Sequence, residues 1–262
     1  MKLMFRFLCL FLGGLTLTAT LSQGQTTLLS AQATPTETKA AAPVATPAPS
    51  VVSNIHTTDD VDILRETQIT INTPHHTGMV WWIPFEFWAK SAEKNGNSPE
   101  KAREGLKALQ NYTIVGVFAA KVTSLAAFDY STPSDLQKNV VIRDSEGQDY
   151  AALAELNGDA KNLADMLKPI LTSAMGRAGE NFALLFFPAT KKGGKRIADE
   201  LAKGSFSVVL KDVTGEPETI YLWRTPLTSV VAPRYCPAGG ERVHADWDYC
   251  PRHGVKLETL RQ

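Results

Sequence analysis

Two short segments near the end of the chain hold the residues best suited to chemistry. Cys236-Pro237-Ala238-Gly239-Gly240 is followed, fourteen residues on, by Cys250-Pro251-Arg252-His253-Gly254. Both fit Cys-Pro-x-x-Gly in one register, and a tyrosine precedes each cysteine, Tyr235 and Tyr249. A thiolate is a nucleophile and a soft metal ligand, and imidazole is a frequent metal ligand beside it. Two thiols can also close a disulfide.

The repeat resembles the paired knuckles of a short zinc ribbon, whose usual form is Cys-Pro-x-Cys-Gly written twice. The resemblance covers Tyr235 to Gly254. It implies that Cys236 and Cys250 are the first ligands of the two knuckles and His253 the second ligand of the second. The prolyl turn and the glycine would then let backbone N–H groups point at the sulfurs. Gly239 stands where the remaining ligand belongs. A structural zinc takes four ligands, so His244 in the connecting loop is the expected fourth, with Asp246 and Asp248 also in reach. Three ligands alone would leave the open position used in catalysis.

The start of the chain decides which conditions those thiols meet. Met1 to Gln25 reads as an export signal: Lys2 and Arg6, then an uncharged, mostly apolar run from Phe7 to Thr20. That run is shorter than the roughly 20 apolar residues a spanning helix needs. Cleavage fits after Gly24, giving a signal peptide over 1–24, and a small-x-small match at Ala31-Gln32-Ala33 places an alternative cut after 33. An uncleaved leader would be the one expected membrane contact. Cys9 follows Arg6 too closely to be a lipidation site. Residues 25–58 form a tether rich in Pro, Ala and Thr, with four prolines between Thr34 and Ser50, a composition that cannot build a core. The protein is therefore expected to be secreted or periplasmic. Loss of the leader leaves Cys236 and Cys250 as the only cysteines, and oxidising surroundings favour a disulfide between them. No cofactor is expected in that reading; Zn2+ is the alternative.

Composition bounds the remainder. The chain has 262 residues, 44% hydrophobic and 21% charged, with a formal net charge of zero. These values exclude a disordered or collagen-like chain and a whole-chain basic footprint for nucleic acid. From Val51 onward there are 24 basic and 26 acidic residues, too even a balance to imply a charged partner.

The elements that must position the tail are mostly strands. Thr67–Asn72 alternates polar and apolar residues. Gly78–Trp88 is aromatic and expected to be extended, with Pro84 marking a bend. Ser98-Pro99-Glu100 opens a helix reaching about Gln110. Tyr112–Val122 reads as a buried strand. Val140–Ile142, a turn at Asp144–Gly147 and Tyr150 form a hairpin. Asp159 is expected to cap a second helix. Its residues Leu163, Met166, Leu167, Ile170, Leu171 and Ala174 share one face, Pro169 kinks it and Gly176 ends it. Strands follow at Phe182–Phe187, Ser205–Lys211 and Thr219–Trp223. Seven or eight strands joined mostly by turns predict a mainly β fold over residues 59–232. That fold is an antiparallel immunoglobulin-like β-sandwich with two inserted helices, followed by a small Cys/His knuckle over 233–262. The main domain thus resembles a secreted bacterial β-sandwich. The alternative is a two-layer α+β arrangement with helices on one sheet face.

Other candidates are weaker. Trp81, Trp82, Phe85 and Trp88, with Phe87, would make a ligand platform for glycan or peptide if exposed. His75 and His76 are adjacent, and in a strand they would point to opposite faces. The Lys191–Arg196 loop lacks phosphate-loop spacing, and Ser173, Ser205 and Ser207 lack a nucleophile elbow. No catalytic residue is assigned. The expected function is an exported cell-envelope interaction or scaffold module, not an enzyme, with an envelope protein or glycan as partner and no nucleic acid. The rivals are an envelope hydrolase or thiol- or metal-dependent enzyme using the Cys/His cluster, and a glycan-binding module using Trp81 to Trp88.

Overall fold

The computed structural model describes residues 60–124 and 127–258. The expected leader, its cleavage sites, Cys9 and the tether over 25–58 lie outside them. In chain order the elements are α1 (Asp60–Thr67), β1 (Gln68–Asn72), β2 (His76–Ile83), α2 (Phe85–Lys94) and α3 (Pro99–Gly105). A 3-10 turn (Lys107–Asn111), β3 (Tyr112–Val122), β4 (Phe128–Tyr130), α4 (Pro133–Asn139), β5 (Val140–Asp144) and β6 (Asp149–Ala151) follow. The chain continues through α5 (Gly158–Met175), α6 (Arg177–Glu180), β7 (Ala183–Pro188), β8 (Gly204–Lys211), β9 (Glu218–Thr225), β10 (Arg234–Tyr235) and β11 (Arg242–Val243).

Two antiparallel sheets carry the fold. The first runs β1-β2-β3, with β4 and β7 sharing the far edge of β3; the second runs β6-β5-β8-β9. Neither closes into a barrel. Val80, Trp82, Val115, Val117 and Phe187 of the first sheet join Val140, Ile142, Phe206, Val208 and Trp223 of the second in one buried cluster. Trp82 meets Phe206 edge-on across the gap, ring centroids 4.8 Å apart, and Phe206 stacks on Trp223 at 5.6 Å. The opposite face of the first sheet (Met79, Trp81, Ile83, Ile114 and Phe186) is covered by Ile63 of α1, by Phe87 and Trp88 of α2, and by Ala160 of α5. Both faces being covered explains why β2 and β3 are almost continuously apolar, whereas β9 alternates and turns Ile220 and Leu222 outward. The mainly β, antiparallel expectation is met, with α1, α2 and α5 layered on one sheet face and α4 packing Leu136 into the core between the sheets.

Four local expectations change. The stretch Phe85–Trp88 is helical, not extended. Pro84 holds the residue before it in the β region and supplies a fixed φ of −69° as the helix N-cap, so β2 stops at Ile83 and α2 begins directly. The platform expectation fails with it: Trp81, Trp82, Phe85 and Trp88 are only 4, 1, 8 and 9% exposed. Their rings pack in the core, where Trp81 also donates its indole N–H to Thr67 Oγ1 at 3.2 Å. The N-terminus of α5 is capped by Asn157, whose Oδ1 accepts from Ala160 N at 2.9 Å, and not by Asp159. On that helix Met166 is 58% exposed while Leu163 and Ala164 pack against the core. No helix among the described residues is long and apolar enough to cross a membrane.

Candidate metal centre

The tail folds as two copies of one turn. In the first, β10 and β11 pair antiparallel, Arg234 opposite Val243 and Tyr235 opposite Arg242. Between them Cys236 N–H donates to Glu241 O at 2.9 Å and Gly240 N–H to Cys236 O at 2.8 Å. In the second, Tyr249 bridges Lys256, Cys250 N–H donates to Val255 O at 2.9 Å and Gly254 N–H to Cys250 O at 2.8 Å. Gly240 and Gly254 close the turns with φ of 70° and 65°, the left-handed region that glycine enters without steric cost. The sequence repeat is thus a structural repeat. Cys236, Cys250, Val243 and Leu257 form a small buried core with Trp247 and Val255 packed on it.

The turns face each other and bring four donors together. One atom each of Cys236, Glu241, Cys250 and His253 lies within 4.8 Å of every other. His253 Nδ1 is 3.4 Å from Cys236 Sγ and 3.6 Å from Cys250 Sγ. Glu241 Oε1 is 3.3 Å from Cys250 Sγ and 3.0 Å from His253 Nδ1. Metal bonds of about 2.3 Å to sulfur and about 2.0–2.2 Å to nitrogen and oxygen give tetrahedral ligand–ligand edges of about 3.4–3.8 Å. Three of the separations, 3.3–3.6 Å, lie close to those edges and Glu241–His253 is shorter at 3.0 Å, so the donor set suits a four-coordinate ion of intermediate softness, two sulfurs, one nitrogen and one oxygen.

Electrostatics agree with the geometry. Burial pushes the Cys250 thiol up, opposed by backbone N–H groups of His253 and Arg252 directed at its sulfur. Such N–H groups stabilise a thiolate once a cation draws the proton off. Glu241 is held below the usual carboxylate range, first by its own backbone N–H, then by the Cys250 thiol and by His253 and Arg252. It is therefore charged at neutral pH, as a metal-binding carboxylate must be.

This arrangement corrects two expectations. Cys236 and Cys250 are free thiols, buried and unbonded to each other, not a disulfide. Their turns are each pinned by their own backbone hydrogen bonds, and the two sulfurs lie beside a shared centre without being joined. His244 is not part of the cluster: its ring lies 4.9 Å from that of Trp247, and its Nδ1 is 3.4 Å from Thr228 Oγ1. It precedes Ala245, whose N–H is fixed on Thr228 Oγ1 at 3.0 Å, so the sandwich holds this loop away from the sulfurs. Asp248 is paired with Lys203. Glu241, which sequence reasoning missed, takes the fourth place from just beyond the glycine of the first knuckle. Its place depends on Gly239: a Cβ there would lie 2.1 Å from Glu241 Oε2 and 2.4 Å from His253 Cε1.

The sandwich clamps the tail. Glu66, next to last in α1, accepts the N–H groups of Thr228 and Ser229 at 2.7 and 2.8 Å. Arg242 Nη2 donates to Thr228 O at 3.0 Å. Within the tail, Arg234 Nη1 donates to Ala245 O at 2.7 Å and Trp247 O at 2.9 Å, and Nη2 to Glu258 O. The remaining candidates stand apart. His76 packs its ring on the Gly215 turn, and burial, Lys121 and His75 lower its pKa. Neither His75 nor His76 joins a donor cluster among the described residues. Lys191 of the basic loop pairs with Glu146 and Asp144 and so ties that loop to the β5–β6 turn.

No family model, curated protein or solved structure matches the chain.

Proposed function

We propose that the chain is an exported module of the cell envelope whose β-sandwich serves as a scaffold and whose tail is a degenerate zinc ribbon. Cys236, Glu241, Cys250 and His253 would hold the zinc. The ion would act as a cross-link between two turns that share only a handful of apolar contacts. The observation that carries this reading is the convergence of four donors of suitable chemistry from two turns of identical backbone pattern. Burial of both sulfurs favours a structural role over a reactive one. Export rests on the leader and the proline-rich tether in the sequence.

Metal analysis of the purified, reduced protein tests the zinc reading: one zinc per chain is expected, with none retained after Cys250→Ser. A metal-free protein that still unfolds at the same temperature with and without a strong chelator would remove it. Fractionation of expressing cells tests export, which requires the mature protein outside the cytoplasm with the leader removed or serving as an anchor.

A further inference from the structure

We propose that the groove across Trp247, between the second sheet and the knuckle, binds a neutral oligosaccharide. Two clefts of about 290 and 270 Å³ meet there and share Arg224, Asp246 and Trp247. One extends toward Leu222 on the outer face of β9, the other toward Tyr249 and Pro251 of the second knuckle. Two adjoining open clefts suit a ligand lying along the surface, not a small molecule enclosed in a pocket.

The lining matches the two faces of a sugar ring. A pyranose offers a patch of C–H groups and a rim of hydroxyls, each hydroxyl a donor and an acceptor. Tyr249 is 58% exposed, and half-buried Trp247 has its backbone clamped through Arg234 at 2.9 Å. They supply flat apolar surface at low entropy cost on binding. Of the charged groups near them, Glu66 is occupied by backbone N–H groups and Asp248 by Lys203. Arg224 and Asp246 make no ion pair or side-chain hydrogen bond among the described residues. The groove therefore presents one fork of donors and one acceptor of opposite charge. With Glu66 counted the groove carries a single net negative charge, which disfavours an anionic ligand, and the Arg224 fork and the Asp246 carboxylate offer a polyhydroxyl ligand both donors and an acceptor.

This goes beyond the zinc reading and rests on it only in needing the knuckle folded. The test is titration calorimetry of the full mature chain with cellohexaose, chitohexaose and maltohexaose at up to millimolar concentration. Zinc content is measured on the same sample. At least one hexaose should bind one-to-one. Arg224→Met and Tyr249→Ala should each weaken it about tenfold or more, and Tyr249→Ala, an exposed ring, should leave the unfolding temperature unchanged. Trp247→Phe should weaken it as well, and offers a variant that keeps an aromatic ring on the knuckle core. Zinc-loaded protein that binds none of the three would overturn the groove while leaving the metal reading intact. Binding unaffected by all three substitutions would overturn it, and so would selective binding of a zwitterionic dipeptide such as dialanine.

Discussion

Gly239 and Glu241 occupy one space between them. A Cβ at position 239 would sit 2.1 Å from Glu241 Oε2, so the absence of a side chain at the first is what admits the carboxylate of the second. In the zinc-ribbon pattern position 239 would be a cysteine. Here Glu241, two residues further along the chain, turns its carboxylate into that space.

Gly239→Ala should therefore displace Glu241 and weaken zinc binding, measured by competition with a chromophoric chelator. Gly239 has no left-handed φ, so the cost comes from the collision and not from backbone strain. Gly239→Cys combined with Glu241→Ala should restore tight binding through three thiolates and His253, because a thiolate is the softer ligand for zinc. Failure of the double variant to outperform Gly239→Ala would show that the two positions do not exchange roles.

His244→Ala should leave zinc stoichiometry and chelator competition unchanged, since that imidazole packs on Trp247 outside the donor cluster. A loss of metal comparable to that of His253→Ala would return His244 to the ligand set.

The sandwich depends on Trp82, which is 1% exposed and fills the space between the sheets against Phe206. Trp82→Ala should cost about 3–5 kcal/mol in denaturant unfolding. A loss under about 1 kcal/mol would mean that the two sheets do not share a core there.

The outer face of the second sheet carries an acid-sensitive network. Hydrogen bonding to Arg143 pulls the Asp149 carboxyl down to about 2, against some burial, with Lys211 adding in the same direction. A depressed carboxylate contributes stability above its unfolded pKa, and that contribution fades as pH falls from about 4 toward 2. Unfolding measured at stepped pH should show this loss. Asp149→Asn should flatten it, leaving the smaller part due to Glu218, which Arg143 also holds low. The effect should be modest, about 1 kcal/mol or less, because the Arg143 and Asp149 side chains are 26% and 30% exposed.

Much of this architecture was legible because its signals are local. Ser98-Pro99 caps α3 as expected, with Ser98 Oγ accepting from Lys101 N at 3.4 Å. The β5–β6 hairpin turns at Gly147 with φ of 86°, and β3 spans Tyr112–Val122 as read. Thr132-Pro133 carries the same cap signature as Ser98-Pro99 and starts α4, with Thr132 accepting from Asp135 N at 3.1 Å; at seven residues the helix is too short for its apolar spacing to stand out among the strands. The helix α2 was hidden by its aromatic residues, whose strand preference yields to Pro84 and to the packing of Phe87 and Trp88 on Trp81. At the tail the repeat, its two cysteines and His253 were readable from spacing alone. Glu241 was not, because its place depends on the empty volume at Gly239, which only the folded turns create.

X-ray absorption at the zinc edge of the purified protein tests the central claim most directly. A zinc held by Cys236, Cys250, Glu241 and His253 should show a first shell of two sulfurs at about 2.3 Å and two nitrogen or oxygen ligands at about 2.0–2.2 Å, with one of the light ligands lost or replaced in Glu241→Ala. A shell without sulfur, or one that Glu241→Ala leaves untouched, would contradict it.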